Sequence, residues 1–118
     1  MADLRKMNWI NLTDIEQIKT IVEESQHEAV LIFKHSTRCS ISSTALNRLE
    51  RAWNLENAKA YYLDLISNRP ISNALAEQFE VEHQSPQVLI IKDGNCVYHE
   101  SHWDISYEGI LPLLNELA

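Results

Sequence analysis

An α/β fold built on a mixed sheet is the class predicted by three features of this 118-residue sequence. Short β-branched apolar runs alternate with stretches of helical periodicity. An Asp-Gly turn joins the last two of those runs, the strongest short-range hairpin signal. The hydrophobic share, 45%, is enough for an ordinary core in one domain of this length.

Taken in order, Thr13-Asp14-Ile15-Glu16 fits a capping box, with the Thr13 hydroxyl accepting from the third helical amide and Glu16 reaching back. Ile15, Ile18, Ile21 and Val22 then recur at helical spacing, which predicts a helix from about residue 13 to about residue 25. Ala29-Val30-Leu31-Ile32-Phe33 is a continuous apolar run, as expected of a central strand buried on both faces. Lys34-His35-Ser36-Thr37-Arg38 is polar and reads as a loop. A second helix begins near Cys39, with Ile41, Ala45, Leu46, Leu49 and Trp53 as its apolar face.

Ala58 to Leu65 reads as a second strand, and Pro70 suits the first turn of a third helix continued by Ile71, Ala74, Leu75 and Phe79. Gln87 to Ile91 and Cys96 to Glu100 are the two arms of the hairpin around Asp93-Gly94. Ser106 to Leu117 reads as a last helix, which Pro112 is expected to kink or restart. A strand-helix-strand unit with a right-handed crossover places its strands in parallel, and the hairpin adds an antiparallel edge. The prediction is a single domain over residues 1–118, a four-stranded mixed sheet with helices on both faces. That is the thioredoxin-like three-layer arrangement.

Charge narrows the function. Lys and Arg number 10 against 17 Asp and Glu, a net charge of −7, which argues against nucleic acid or an anionic membrane as partner. No apolar run approaches the ~20 residues that span a bilayer. Met1 to Lys6 lacks the apolar core of a signal peptide, so a cytoplasmic location is expected. Two cysteines, Cys39 and Cys96, are too few for a secreted disulfide framework. No Gly-rich phosphate loop, dinucleotide fingerprint or nucleophilic-serine signature is present, and no bound cofactor is expected.

Cys39 carries the candidate chemistry. It follows a buried strand and a short loop, which places it at a helix start, where unpaired amides and the positive dipole end converge. Cysteines so placed are more acidic than the ordinary thiol at about 8.5, and the thiolate is the nucleophile of disulfide exchange. The alternative is a buried, inert cysteine; the polar neighbours Thr37, Arg38, Ser40 and Ser42 weigh against it. Arg38 and Lys34 add positive charge, and His35 is a candidate to polarise the thiol. Ser42 occupies the place of the resolving thiol of a Cys-x-x-Cys pair, so the expected chemistry is monothiol: Cys39 takes a small thiol from a mixed disulfide, and a second small thiol releases it.

Ser85-Pro86 precedes the third strand. In thioredoxin-like folds the equivalent proline is cis and faces the active cysteine, and the backbone before it hydrogen-bonds a disulfide-containing chain, so a cis bond and a substrate-binding role are expected. Cys96, His99 and His102 invite a metal reading, but strand alternation puts Cys96 and His99 on opposite faces, and no metal site is predicted. Cys96 is an alternative resolving cysteine only if its Cα comes within about 7 Å of that of Cys39. A non-catalytic binding or scaffold protein is the rival class. Trp53 and Trp103 read as core or edge packing.

Ile32-Phe33-Lys34-His35-Ser36-Thr37-Arg38-Cys39-Ser40-Ile41-Ser42 resembles the active-site segment of the monothiol bacilliredoxins of the YtxJ-like family. Arg69 to Ala74, His83-Gln84-Ser85-Pro86-Gln87 and Ser101-His102-Trp103-Asp104-Ile105 resemble further segments of that family. The resemblance implies a thioredoxin-like oxidoreductase that removes bacillithiol from S-thiolated client proteins, with a low-molecular-weight thiol as cosubstrate. Cys39 falls on the family's active cysteine and Ser85-Pro86 on its substrate-facing loop. Ser40 stands where many members carry proline, a departure at the helix start.

Overall fold

The structure, a computed structural model, describes residues 9–53 and 58–117. The reading of Met1 to Lys6 lies outside these residues. The chain runs β1 (Ile10–Asn11), α1 (Gln17–Glu24), β2 (Val30–His35), α2 (Ser40–Ala52), β3 (Lys59–Asp64), α3 (Arg69–Phe79), β4 (Gln87–Lys92), β5 (Asn95–Ser101), a 3-10 turn (His102–Asp104) and α4 (Tyr107–Leu117).

The strands form one sheet in the order β1-β3-β2-β4-β5. β1, β3 and β2 are parallel neighbours, while β4 runs antiparallel to β2 and β5 antiparallel to β4. Among the described residues there are five strands rather than the four predicted. The extra one, β1, is two residues long, too short for any alternation to register in sequence.

Alternation along β2 divides the core into two layers. Leu31 and Phe33 face Ala45 and Leu49 of α2 and Ile110 and Leu114 of α4. Val30 and Ile32 face Ile18 and Ile21 of α1 and Ile71, Leu75 and Phe79 of α3. Helices therefore cover both faces, and β2 at the centre is buried along its whole length.

Local chemistry explains the element ends. The capping box at Thr13 does not form: Gln17 Oε1 accepts from the Thr13 and Asp14 amides at 2.7 and 2.8 Å, and α1 begins only at Gln17. Asp93 and Gly94 both have positive φ, 53° and 78°, the mirror-image turn that suits a tight hairpin. That turn is anchored to the end of α1, where Ser25 accepts the Asp93 amide at its carbonyl and the Gly94 amide at its hydroxyl. α4 runs through Pro112 as one helix with no restart.

Two departures change the surroundings of candidate residues. β2 continues through Lys34 and His35, which were read as loop, and buries both side chains. A bulge at Val97, between the pairs Ile90–Tyr98 and Ile91–Cys96, inserts one residue into β5. Cys96 and His99 thus share a face despite their odd separation, because Ile91 and Leu89 opposite them belong to the same core layer.

Candidate active site

β2 delivers the chain to one end of the sheet, and a tight turn redirects it into α2. The Cys39 amide donates to the Ser36 carbonyl at 3.1 Å, closing that turn over the exposed Thr37 and Arg38. Cys39 is the N-cap of α2, with extended backbone (φ −111°, ψ 121°), and its carbonyl accepts the first helical bond, from the Ser43 amide at 3.1 Å. The first-turn amides beyond it have no carbonyl one turn back, so this helix end presents donors. Cys39 is partly exposed and in no disulfide.

Ser42 faces the other way. It is fully buried; its Oγ accepts from the Ser36 amide at 3.0 Å and lies 2.7 Å from His35 Nδ1. The Ser42 proton goes to Nδ1 when Nε2 of the ring carries the hydrogen. This pair ties the end of β2 to the second residue of α2 beyond Ser40 and fixes the turn that presents Cys39.

His35 is therefore spoken for. Its ring packs between Tyr62 and Phe33, with centroids 5.6 and 6.1 Å away. Burial lowers its pKa below the usual imidazole value, opposed by the negative charge of Asp64 and Glu50. His35 is thus favoured as a neutral ring that braces Ser42. Glu50, Asp64 and Tyr62 reach His35 from distant parts of the chain and were not singled out in the sequence. Glu50 in turn accepts from the indole of Trp9 at 2.7 Å.

The Ser85–Pro86 bond is cis. Lys34 pairs with Gln87 in the β2–β4 ladder, so Pro86 sits one residue beyond, opposite His35, at the sheet end that also carries Cys39. Gln87 binds this loop together. Its Oε1 accepts from Lys34 Nζ at 3.3 Å and from the Gln84 amide at 3.4 Å, and its Nε2 donates to the Glu82 carbonyl at 3.0 Å. Lys34 is only 1% exposed, and burial lowers its pKa to about 8. Ser85 Oγ is buried with no hydrogen-bond partner among the described residues. On the far side, the His102 amide donates to the Pro86 carbonyl at 3.1 Å, locking the 3-10 turn against the loop.

Comparison with known proteins matches residues 10–110 to the family described as monothiol bacilliredoxin BrxC. The chain belongs to the monothiol bacilliredoxin family. The bacilliredoxin chain is also similar to a solved structure described as a proposed oxidoreductase with a thioredoxin fold, at 29% identity and a TM-score of 0.78, covering 88% of this chain and 91% of that one. Thioredoxins of Malassezia sympodialis (12% identity, TM-score 0.73, 99% and 96% covered) and Fasciola hepatica (14%, 0.69, 92% and 98%) share the fold. The family and its fold make this bacilliredoxin a thiol oxidoreductase.

Cys96 stands apart from this centre. It pairs with Ile91, four residues along β4 from Gln87, which is about 14 Å at strand spacing. A disulfide with Cys39 would need the two Cα atoms within about 7 Å, whereas Cys39 follows β2 beyond the Lys34–Gln87 pair, at the other end of these strands. Its thiol is half-buried, lies 3.2 Å from the Tyr98 carbonyl, and is pushed up in pKa by burial. Although Cys96 and His99 share a face, no group of three or more metal-ligating side chains comes together among the described residues. Nor, among those residues, is any helix long and apolar enough to cross a membrane.

Proposed function

We propose that this bacilliredoxin is a cytoplasmic monothiol reductase that strips bacillithiol from S-thiolated client proteins through Cys39. One juxtaposition carries the reading: a partly exposed sulfur at the N-cap of α2, with a buried, doubly engaged hydroxyl three residues on, where a dithiol enzyme has its second sulfur.

In the first step the Cys39 thiolate attacks the bacillithiol sulfur of the mixed disulfide. A Cys39–bacillithiol disulfide forms, and the client leaves as a thiolate that takes up a proton. A second bacillithiol thiolate then attacks the bacillithiol sulfur held on Cys39. Symmetrical bacillithiol disulfide departs and the Cys39 thiolate returns. The disulfide bond is conserved throughout: one free bacillithiol is consumed per turnover, its sulfur oxidised to the disulfide level as the client sulfur returns to the thiol. The first-turn amides of α2 present donors beside the sulfur, Arg38 precedes it in the chain, Ser42 and His35 hold the turn, and the Ser85–Pro86 edge receives the substrate chain. Sulfur exchange of this kind calls for no bound cofactor, and the acidic surface does not favour nucleic acid or anionic membrane as partner.

The test is release of bacillithiol from a thiolated protein. Native protein accelerates release and Cys39→Ala abolishes the acceleration; an unchanged rate in the variant refutes the assignment. Intact-mass analysis after exposure to oxidised bacillithiol, and separately to oxidised glutathione, should show one bacillithiol adduct on Cys39. A glutathione adduct alone would reassign the small thiol, and an internal Cys39–Cys96 disulfide would overturn the monothiol scheme.

A further inference from the structure

Trp103 was expected to pack, and it does not. It is 58% exposed, at the middle of a 3-10 turn that is otherwise held fast. The His102 amide is bonded to the Pro86 carbonyl, and Ser101 pairs with Gln87, so the turn begins beside the Ser85–Pro86 loop. The turn then packs against α2, the helix that starts at Cys39, and Ile105 anchors its far end in the core with Leu49. Between these anchors His102 takes the left-handed backbone conformation, φ 57°, costly for a residue with a side chain. A firmly held element thus presents a large apolar side chain to solvent on the shoulder of the candidate site.

Two carboxylates lie on this part of the surface, with Arg48 of α2 farther along, beside Ile105. Asp104 is exposed, and Glu100 and Asp104 each lie near enough to Tyr98 to add to the rise in its pKa that burial causes. Cysteines that ionise readily, and so become S-thiolated, sit in electropositive surroundings. A client segment around such a cysteine brings cations, and an acidic shoulder complements them. A small thiol that carries carboxylates would be repelled there.

We propose that Trp103 is the docking platform for the client polypeptide, receiving an apolar side chain next to the thiolated cysteine while Asp104 and Glu100 face cationic residues of the same segment. The inference rests on the reading of Cys39 as the exchanging sulfur and adds the class of substrate that the site selects.

Two bacillithiol mixed disulfides separate the roles. One is with a short peptide having Phe and Lys beside its cysteine; the other is with 2-mercaptoethanol, which has no polypeptide. Trp103→Ala should lower kcat/KM for the peptide about tenfold, through KM, and leave the small disulfide within about twofold, as loss of an interface hot spot predicts. Trp103→Phe should recover most of the loss. Asp104→Asn should weaken the peptide reaction about threefold at low salt, with the difference fading at high salt. Equal losses on both substrates, or none on either, overturn the proposal. Binding of the same peptide with Ser for Cys, followed through the indole N–H resonance of Trp103, tests docking without chemistry. A shift in native protein and in Cys39→Ala supports docking even if Cys39 proves unreactive, and no shift in either refutes it.

Discussion

Replacing Lys34 with methionine should make this bacilliredoxin more stable at neutral pH. The Lys34 ammonium is almost wholly buried, has Gln87 Oε1 at 3.3 Å as its acceptor, and forms no ion pair among the described residues. Burial lowers its pKa from 10.5 to about 8, so the folded state disfavours the charged form. At about 1.36 kcal/mol per pH unit, a gap of about 2.5 units costs about 3 kcal/mol below pH 8. Methionine fills similar space without charge and forfeits the Gln87 bond, worth about 1 kcal/mol. The variant should therefore gain about 2 kcal/mol at pH 7.

The sign reverses with alkali. Between pH 8 and 10.5 the unfolded chain holds a proton that the folded chain has lost, so Lys34 makes native stability climb with pH. The variant lacks that climb and should finish about 1 kcal/mol below native once both states are neutral. Urea unfolding of the two proteins at about pH 7 and about pH 10 should show the variant's advantage falling from about 2 kcal/mol to about zero, with other titrating groups cancelling between them. A variant less stable than native at pH 7, or a difference flat in pH, would refute the account of Lys34 as an uncompensated buried cation.

Ser42→Ala strands the Ser36 amide and His35 Nδ1, and should cost about 2–4 kcal/mol, or about 10 °C in Tm by thermal unfolding. Gly94→Ala meets no atom closer than 3.6 Å, yet φ is +78°, so urea unfolding should show a loss of about 1–2 kcal/mol from backbone strain alone. Cys96→Ala should leave bacillithiol release within about twofold of native and the Cys39 adduct intact by mass, because Cys96 pairs with Ile91, about 14 Å along β4 from Gln87 at the end of the sheet that carries Cys39.

The helices and the three long inner strands were legible because periodicity and continuous apolar runs are strong signals. So were the cis Ser85–Pro86 bond at the entry to β4 and the start of α2 at Cys39, since the order of elements places a strand-loop-helix and a strand entry at one end of the sheet. What escaped depended on tertiary contact. Lys34 and His35 look like loop residues until Gln87 and Ser42, distant in sequence, supply their partners. Parity failed for Cys96 and His99 because one bulged residue, Val97, inverts the alternation. Thr13 lost its capping role to Gln17, whose longer side chain reaches two amides at once. Trp103 was misread by its hydrophobicity: side-chain type says how much surface could be hidden, not whether the backbone before it is turned to hide it.

The engagement of Ser42 has a metabolic consequence under the proposed chemistry. A hydroxyl wedged between a ring nitrogen and a backbone amide holds the place of a resolving sulfur, so position 42 supplies none to complete a catalytic cycle. Each turnover waits on a diffusing thiol, so throughput follows the cell's supply of reduced thiol and stalls when that reserve is spent. Conversion to a self-sufficient dithiol would take more than a one-letter change, because a bulkier sulfur at 42 must first find room against Ser36 and His35.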